Sequence, residues 1–348
     1  MIKRKKIKVL IVDDSILFRE FLKSRLSKDN SIEIVGTAEN PFDARDKILA
    51  LEPDVITLDV ELPKMSGIEF LKRLIPQYPI PVIVASSVSE NVFDALKYGA
   101  LDFVTKPNNL QMMSSSSFIT ELIVKIKIAS TASIPTIAKS SIISNKSTNE
   151  LDRIIRNPQN LLIAIGASTG GTEALAEIFK NLPSNMPGIV VVQHMPPVFT
   201  KMFAERLNSI CPLNVKEAQT NDIVKQGTVL IAPGDYHMAI KKSGSGFSVE
   251  CFKGDKVNGH CPSVDILFNS VAKYVKKRAI GLILTGMGYD GAKGLLNMKK
   301  AGARTIGQNE RSCIVYGMPK VAYDLGGVEK QVNLNLISKE LYSLINNK

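Results

Sequence analysis

The stretch LLIAIGASTGGTEAL, residues 161–175, runs an apolar strand straight into a turn of small residues and then into a helix. A continuous apolar run bounded by glycine reads as a strand buried on both faces, and a strand feeding a helix is the repeating joint of a parallel α/β sheet. The same rhythm surrounds it. GIVVVQH (188–194), GTVLIAPG (227–234) and AIGLILTG (279–286) are further buried-strand candidates. TEALAEIFKNL (172–182) and GAKGLLNMKKAG (291–302) supply helices between them. HMAIKKSGSGFSVECF (237–252) reads as an antiparallel hairpin inserted into the series, with the polar KKSGSG as its turn.

Upstream, IKVLIV (7–12), SIEIVG (31–36), DVITLD (54–59), IPVIVAS (80–86) and LDFV (101–104) are short apolar or β-branched runs. FREFLKSRL and GIEFLKRLI carry helical spacing between them. The expected fold class is therefore α/β, with two doubly wound parallel sheets in separate domains. The first domain is expected over 1–125. Ser, Thr and Lys enrichment without a sustained apolar period, as in TASIPTIAKSSIISNKSTNE (131–150), reads as a linker over 126–158, helical in part at its start. The second domain is expected over 159–348.

With 348 residues the chain is long enough for two cores, and no apolar run approaches the roughly 20 residues of a membrane helix. The basic start MIKRKKIKVLIVDDS passes directly into a strand and lacks a signal-peptide pattern, so a cytoplasmic protein without membrane insertion is expected. Cys211, Cys251, Cys261 and Cys313 are scattered without zinc spacing, which reads as free thiols. The net charge of +11 comes with no Trp and no recognisable nucleic-acid-binding motif, so an acidic protein partner, or simple solubility, is favoured over nucleic acid.

Two clusters carry chemistry. In the first domain Asp13 and Asp14 follow the first strand, Asp59 ends the third, Ser86 ends the fourth and Lys106 follows the fifth. Strand C-termini of a parallel sheet open on one side, where three converging carboxylates suit a hard divalent cation such as Mg²⁺. This ordered set, with LPKMSG after Asp59 and Phe103 before Lys106, resembles the receiver domain of response regulators, a flavodoxin-like fold. The resemblance implies that Asp59 accepts a phosphoryl group from a histidine kinase. It also implies that Asp13, Asp14 and Asp59 hold Mg²⁺, and that Ser86 and Lys106 contact the phosphoryl group.

In the second domain Ser168 lies in a turn with Gly166, Gly170 and Gly171, ahead of a helix N-terminus whose free N–H groups suit a phosphate or an oxyanion. GASTGG is not GxGxxG, and the next strand ends in His194 where a dinucleotide fold would place an acid. Asp290, in LTGMGYDG, follows a further strand on the same edge. A carboxylate that orients a histidine beside a serine is the arrangement that activates the hydroxyl for attack. The turn is not the GxSxG elbow of the α/β-hydrolases. On spacing alone His237 with Asp235, or His260 in VNGHCPSVD, could also be the base. His194 is preferred because its strand directly follows the serine strand.

Residues 160–347 resemble the catalytic domain of the chemotaxis protein-glutamate methylesterases, a Rossmann-like fold. The matching stretches are IGASTGGTEAL, VVVQHMPPVFTKMFAERLN, IAPGDYHM, HCPSVDILFNSVA and LTGMGYDGAKGL. Gly259 and Cys261 flank His260 where relatives often carry basic residues. Receiver, linker and hydrolase in this order is the architecture of that family. The resemblance implies hydrolysis of glutamate γ-methyl esters, and deamidation of glutamines, on the cytoplasmic domains of chemoreceptors. Ser168, His194 and Asp290 would form the triad, backbone N–H groups of Thr169 and Met287 the oxyanion hole, and no cofactor would serve this half. It further implies a receiver that covers the hydrolase until Asp59 is phosphorylated. An alternative is a phosphorylation-controlled, receptor-binding adaptor without catalysis.

Overall fold

The computed structural model describes residues 5–87, 91–107, 116–132 and 161–346. They fall into two compact units, the first reaching residue 132 and the second starting at residue 161. The rest of the expected linker, 133–158, lies outside the described residues, as do residues 159 and 160.

The first unit alternates strand and helix: β1 (Ile7–Val12), α1 (Ile16–Leu26), β2 (Ile32–Ala38), α2 (Pro41–Leu51), β3 (Val55–Leu58), α3 (Gly67–Leu74), β4 (Val82–Ser86), α4 (Val92–Lys97) and β5 (Asp102–Thr105). The strands pair in parallel in the order β2-β1-β3-β4-β5. Val9, Leu10, Val55, Ile56, Ile83 and Val84 have no exposed surface, as expected of strands covered on both faces. A last helix, α5 (Ser116–Ala129), extends beyond residue 125. Phe118, Leu122, Ile126 and Ala129 recur at helical spacing and are all buried, which docks α5 onto the sheet and α1. Lys125 adds an ion pair to Asp102 at 2.9 Å.

The second unit holds a parallel sheet of β6 (Leu162–Ala167), β7 (Gly188–Gln193), β8 (Asn214–Glu217), β9 (Thr228–Ile231), β12 (Ala279–Ile283), β13 (Arg304–Gln308) and β14 (Lys330–Val332). Their order is β14-β13-β12-β6-β7-β9-β8. The helices are α6 (Gly171–Lys180), α7 (Phe199–Ile210), α8 (Val264–Tyr274), α9 (Ala292–Lys300), α10 (Met318–Asp324) and α11 (Leu334–Asn346). The hairpin β10 (His237–Ser243) and β11 (Gly246–Phe252) forms its own antiparallel pair. Its turn is tighter than KKSGSG: Lys241 to Ser243 stay paired, and Gly244 and Ser245 alone reverse the chain, Gly244 at φ +55°.

Both sheets have a point where the strand order reverses, and a crevice forms there at the strand C-termini. In the first unit it lies between β1 and β3; in the second it lies between β6 and β12, whose next strands, β7 and β13, lie on opposite sides. Close packing of α8 against β6 fixes the second crevice. A Cβ on Gly166 would lie 2.2 Å from Val264 Cγ1 and 2.9 Å from its Cγ2. The branched Val264 side chain starts α8 and cannot swing aside without moving the helix. Gly166→Ala is therefore expected to destabilise this unit by about 1–3 kcal/mol, the usual cost of overpacking a full core. A urea-unfolding midpoint unchanged from wild type would contradict this.

Candidate active site

The first crevice collects acids. Asp13 and Asp59 are 2% and 5% exposed, Asp14 is exposed, and one carboxylate oxygen from each lies within 4.8 Å of the others. β1 and β3 deliver them. Ser15 caps α1 through its hydroxyl, and its N–H donates to Asp13 Oδ1 at 3.0 Å. Arg19 Nη1 donates to the carbonyls of Asp13 (2.6 Å) and Asp14 (2.9 Å), which holds the turn. Gly67 lets α3 start against the carbonyl of Asp59, since a Cβ there would sit 2.2 Å from that oxygen. Lys106 reaches back from the end of β5. Its Nζ donates to Asp13 and, at 2.5 Å, to Asp59, while its N–H donates to the carbonyl of Ser86 at 2.9 Å. Burial pushes the Asp13 carboxyl up despite this lysine. The expected Asp13, Asp14, Asp59, Ser86 and Lys106 thus stand on one edge.

The second crevice is built on β6, β7 and β12. β6 and β7 pair in register at Ala167 and Gln193, so Ser168 and His194 are the next residues off adjacent strands. Two backbone bonds pin them: His194 N–H to the Ala167 carbonyl (3.1 Å) and Ser168 N–H to the Thr285 carbonyl (3.0 Å). Gly286 packs against Ser168, where a Cβ would lie 2.7 Å from Ser168 Cβ. Thr285 Oγ1 donates to the Thr169 carbonyl at 3.0 Å and so orients the peptide after the serine.

Asp290 lies beyond β12, 1% exposed, with His194 Nε2 2.9 Å from its Oδ2. Four more donors converge on this carboxylate: Val264 N–H (2.7 Å) on Oδ2, and Ser263 Oγ (2.8 Å), Asn258 Nδ2 (2.8 Å) and Asp265 N–H (3.2 Å) on Oδ1. Val264 and Asp265 open α8, so the helix dipole adds to the attraction. Burial alone would raise the Asp290 carboxyl. The His194 bond and charge, with Asn258 and Val264, hold it instead well below the usual carboxylate range. The other ring nitrogen, His194 Nδ1, is buried and has no hydrogen-bond partner among the described residues. With Nε2 committed to an anion, Nδ1 is the basic nitrogen.

The other two histidines are also placed. His237 Nε2 lies 2.9 Å from the Asp255 carbonyl and its Nδ1 accepts from the Ser263 N–H at 3.2 Å, so both nitrogens are spent on backbone. Asp235 beside it is exposed. His260 lies flat on His194, ring centroids 3.7 Å apart and planes 8° from parallel. It is delivered by a tight turn in which Val257 and His260 exchange backbone bonds, both at 3.0 Å, around Asn258 (φ +54°) and Gly259 (φ +85°). Asn-Gly is the dipeptide that favours such a turn, and this was the sequence signal for it. Asn258, Ser263 and Asp265 were not among the expected site residues. Asn258 Nδ2 also bridges to Asp265 Oδ2 at 2.8 Å.

Burial, then the neighbouring His194, pushes the His260 imidazole down to about 4 from an ordinary 6.5. Between those two values the unfolded chain binds the proton that the folded protein refuses, so stability falls as pH falls from 6.5 towards 4. His260→Phe keeps a flat ring without the titration. From about pH 7 to about pH 5 the wild type is expected to lose roughly 2 kcal/mol more stability than this variant. Denaturation curves at both pH values measure the difference, and equal losses would contradict the assignment.

Residues 163–341 match the family described as CheB methylesterase, and residues 9–116 match the response regulator receiver domain. A protein-glutamate methylesterase/protein-glutamine glutaminase of Syntrophomonas wolfei is 58% identical over 342 residues, covering 98% of each chain. One from Salmonella typhimurium is 45% identical over 347 residues, covering 98% of this chain and 97% of that one. The crystal structure of the Thermotoga maritima CheB methylesterase catalytic domain superposes with a TM-score of 0.52 at 42% identity, covering 53% of this chain and 98% of that one. With its receiver domain ahead of its methylesterase domain, the chain belongs to the protein-glutamate methylesterase/protein-glutamine glutaminase family.

Proposed function

We propose that this enzyme hydrolyses the γ-methyl ester of glutamate side chains, and the side-chain amide of glutamine, on the cytoplasmic domains of chemoreceptors, through Ser168, His194 and Asp290. The observation that carries this reading is the buried His194–Asp290 pair, 2.9 Å apart, in register with Ser168 at the reversal point of the sheet. His194 Nδ1 takes the Ser168 proton as Oγ attacks the ester carbonyl, forming the C–O bond and an oxyanion. The N–H groups of Thr169 and Met287 are the donors proposed for that oxyanion, a role worth about 3 kcal/mol per donor in serine hydrolases. The imidazolium then gives its proton to the departing methoxide, and methanol leaves an acyl-serine. Water, deprotonated by Nδ1, attacks the acyl carbon. Ser168 departs reprotonated and a glutamate carboxylate remains. With glutamine the leaving group is ammonia. Throughout, Asp290 stays anionic and stabilises the imidazolium.

The receiver supplies control. Asp59 is the proposed phosphoryl acceptor, its Oδ forming the new P–O bond as the bond to the kinase histidine breaks. Asp13, Asp14 and Asp59 offer the clustered oxygen donors that suit Mg²⁺, which would offset the charge of the phosphoryl group when bound. Ser86 and Lys106 stand where phosphoryl oxygens would be met. A histidine kinase of the chemotaxis pathway is the proposed donor. Among the described residues no helix is long and apolar enough to cross a membrane, so the receptors are reached from outside the bilayer core.

Two measurements test the reading. Methanol release from methylated chemoreceptor membranes is expected to fall at least about a thousand-fold in Ser168→Ala, since the nucleophile acts as one unit with its base. Release undiminished in that variant would overturn the triad. A small phosphodonor with Mg²⁺ is expected to stimulate the wild type and not Asp59→Asn. Equal stimulation of both would remove Asp59 as the acceptor.

A further inference from the structure

Gln193 ends β7, opposite Ala167 in the parallel register, and is 3% exposed. Its amide nitrogen Nε2 donates to two carbonyls, that of Ser168 at 2.9 Å and that of His194 at 3.2 Å. Two acceptors at one end fix the amide's orientation, because an oxygen there would repel both. The main chains of the two residues that must exchange a proton are thus tied to one side-chain atom. The other end of the amide is unpartnered: Oε1 is buried and has no hydrogen-bond partner among the described residues. Room for it comes from Gly171, where a Cβ would lie 2.2 Å from Oε1. A buried acceptor without a donor weakens the fold, and an apolar side chain of similar volume would avoid that penalty. The Ser168 carbonyl has a second donor, the Gly171 N–H at 2.7 Å, so the turn does not depend on Gln193 to satisfy it.

We propose that Gln193 is a positioning residue of the hydrolase, retained because Nε2 sets the spacing between the Ser168 turn and the His194 ring. The proposal rests on the reading of Ser168 and His194 as nucleophile and base. Proton transfer between them needs hydrogen-bond contact, and a displacement of about 1 Å can cost about a hundred-fold in rate. Gln193→Met fills similar space and removes both the two donors and the orphaned acceptor.

The test uses the full chain with phosphodonor, measuring kcat and KM for methanol release beside the thermal unfolding midpoint, with Ser168→Ala as the reference. Gln193→Met is expected to lower kcat about ten-fold or more with KM within about two-fold, while the unfolding midpoint stays at or above that of wild type. If Gln193→Met does not fold, Gln193→Leu is measured by the same criteria, since it too is apolar and loses the donors. A kcat within about two-fold of wild type overturns the proposal, and so does a kcat that falls only together with the unfolding midpoint. A Ser168→Ala variant as active as wild type would instead refute the underlying triad, which keeps the two failures apart.

Discussion

A carboxylate that is both buried and ionised needs donors on every side, and Asp290 has them. Its solvent is replaced by Ser263 Oγ, Asn258 Nδ2, the N–H groups of Val264 and Asp265, and the His194 ring. Taking a charge out of water costs several kcal/mol unless such partners are in place, so the loop before α8 and the start of α8 are committed to this one side chain. The His194 ring plane follows from the same commitment. Nε2 is aimed at Asp290 and a flat His260 ring covers one face, while Nδ1 is buried without a hydrogen-bond partner among the described residues.

The receiver solves a related problem with the opposite sign of compensation. Asp13 and Asp59 are buried close to each other, and Lys106 supplies the positive charge that lets them coexist. A shared lysine can be redirected, whereas four of the five groups on Asp290 are neutral donors from the turn and helix start at 258–265. The two crevices have the same topology, yet one balances its carboxylates with a single lysine and the other with a ring of donors.

Much of this was legible in the sequence, for reasons that particular elements make clear. β6, β7 and β12 announced themselves as unbroken apolar runs because they lie at the centre of the sheet, covered on both faces. The edge strand β8 reads Asn-Val-Lys-Glu and β14 reads Lys-Gln-Val, runs too short and too polar for periodicity to register, and neither was expected. β13, Arg-Thr-Ile-Gly-Gln, escaped for the same reason. Ser168, His194 and Asp290 could be read as candidates because strand ends are where a parallel sheet presents chemistry. The choice among three histidines could not be settled by spacing, since what disqualifies His237 is the use of both its nitrogens by backbone groups 18 and 26 residues away. Asn258 and Ser263 act on a residue 32 and 27 positions distant, a relation no local pattern encodes.

All four non-histidine donors to Asp290 come from the single segment 258–265, whose flank at Gly254 to Lys256 and whose turn at Gly259 are exposed. Ser263, Val264 and Asp265 are nevertheless buried, and only Asn258 stands in the turn itself. Protein surfaces open locally at far lower cost than cores do. Opening of that turn would therefore take the Asn258 donor from Asp290 first, while Ser263, Val264 and Asp265 stay with the core.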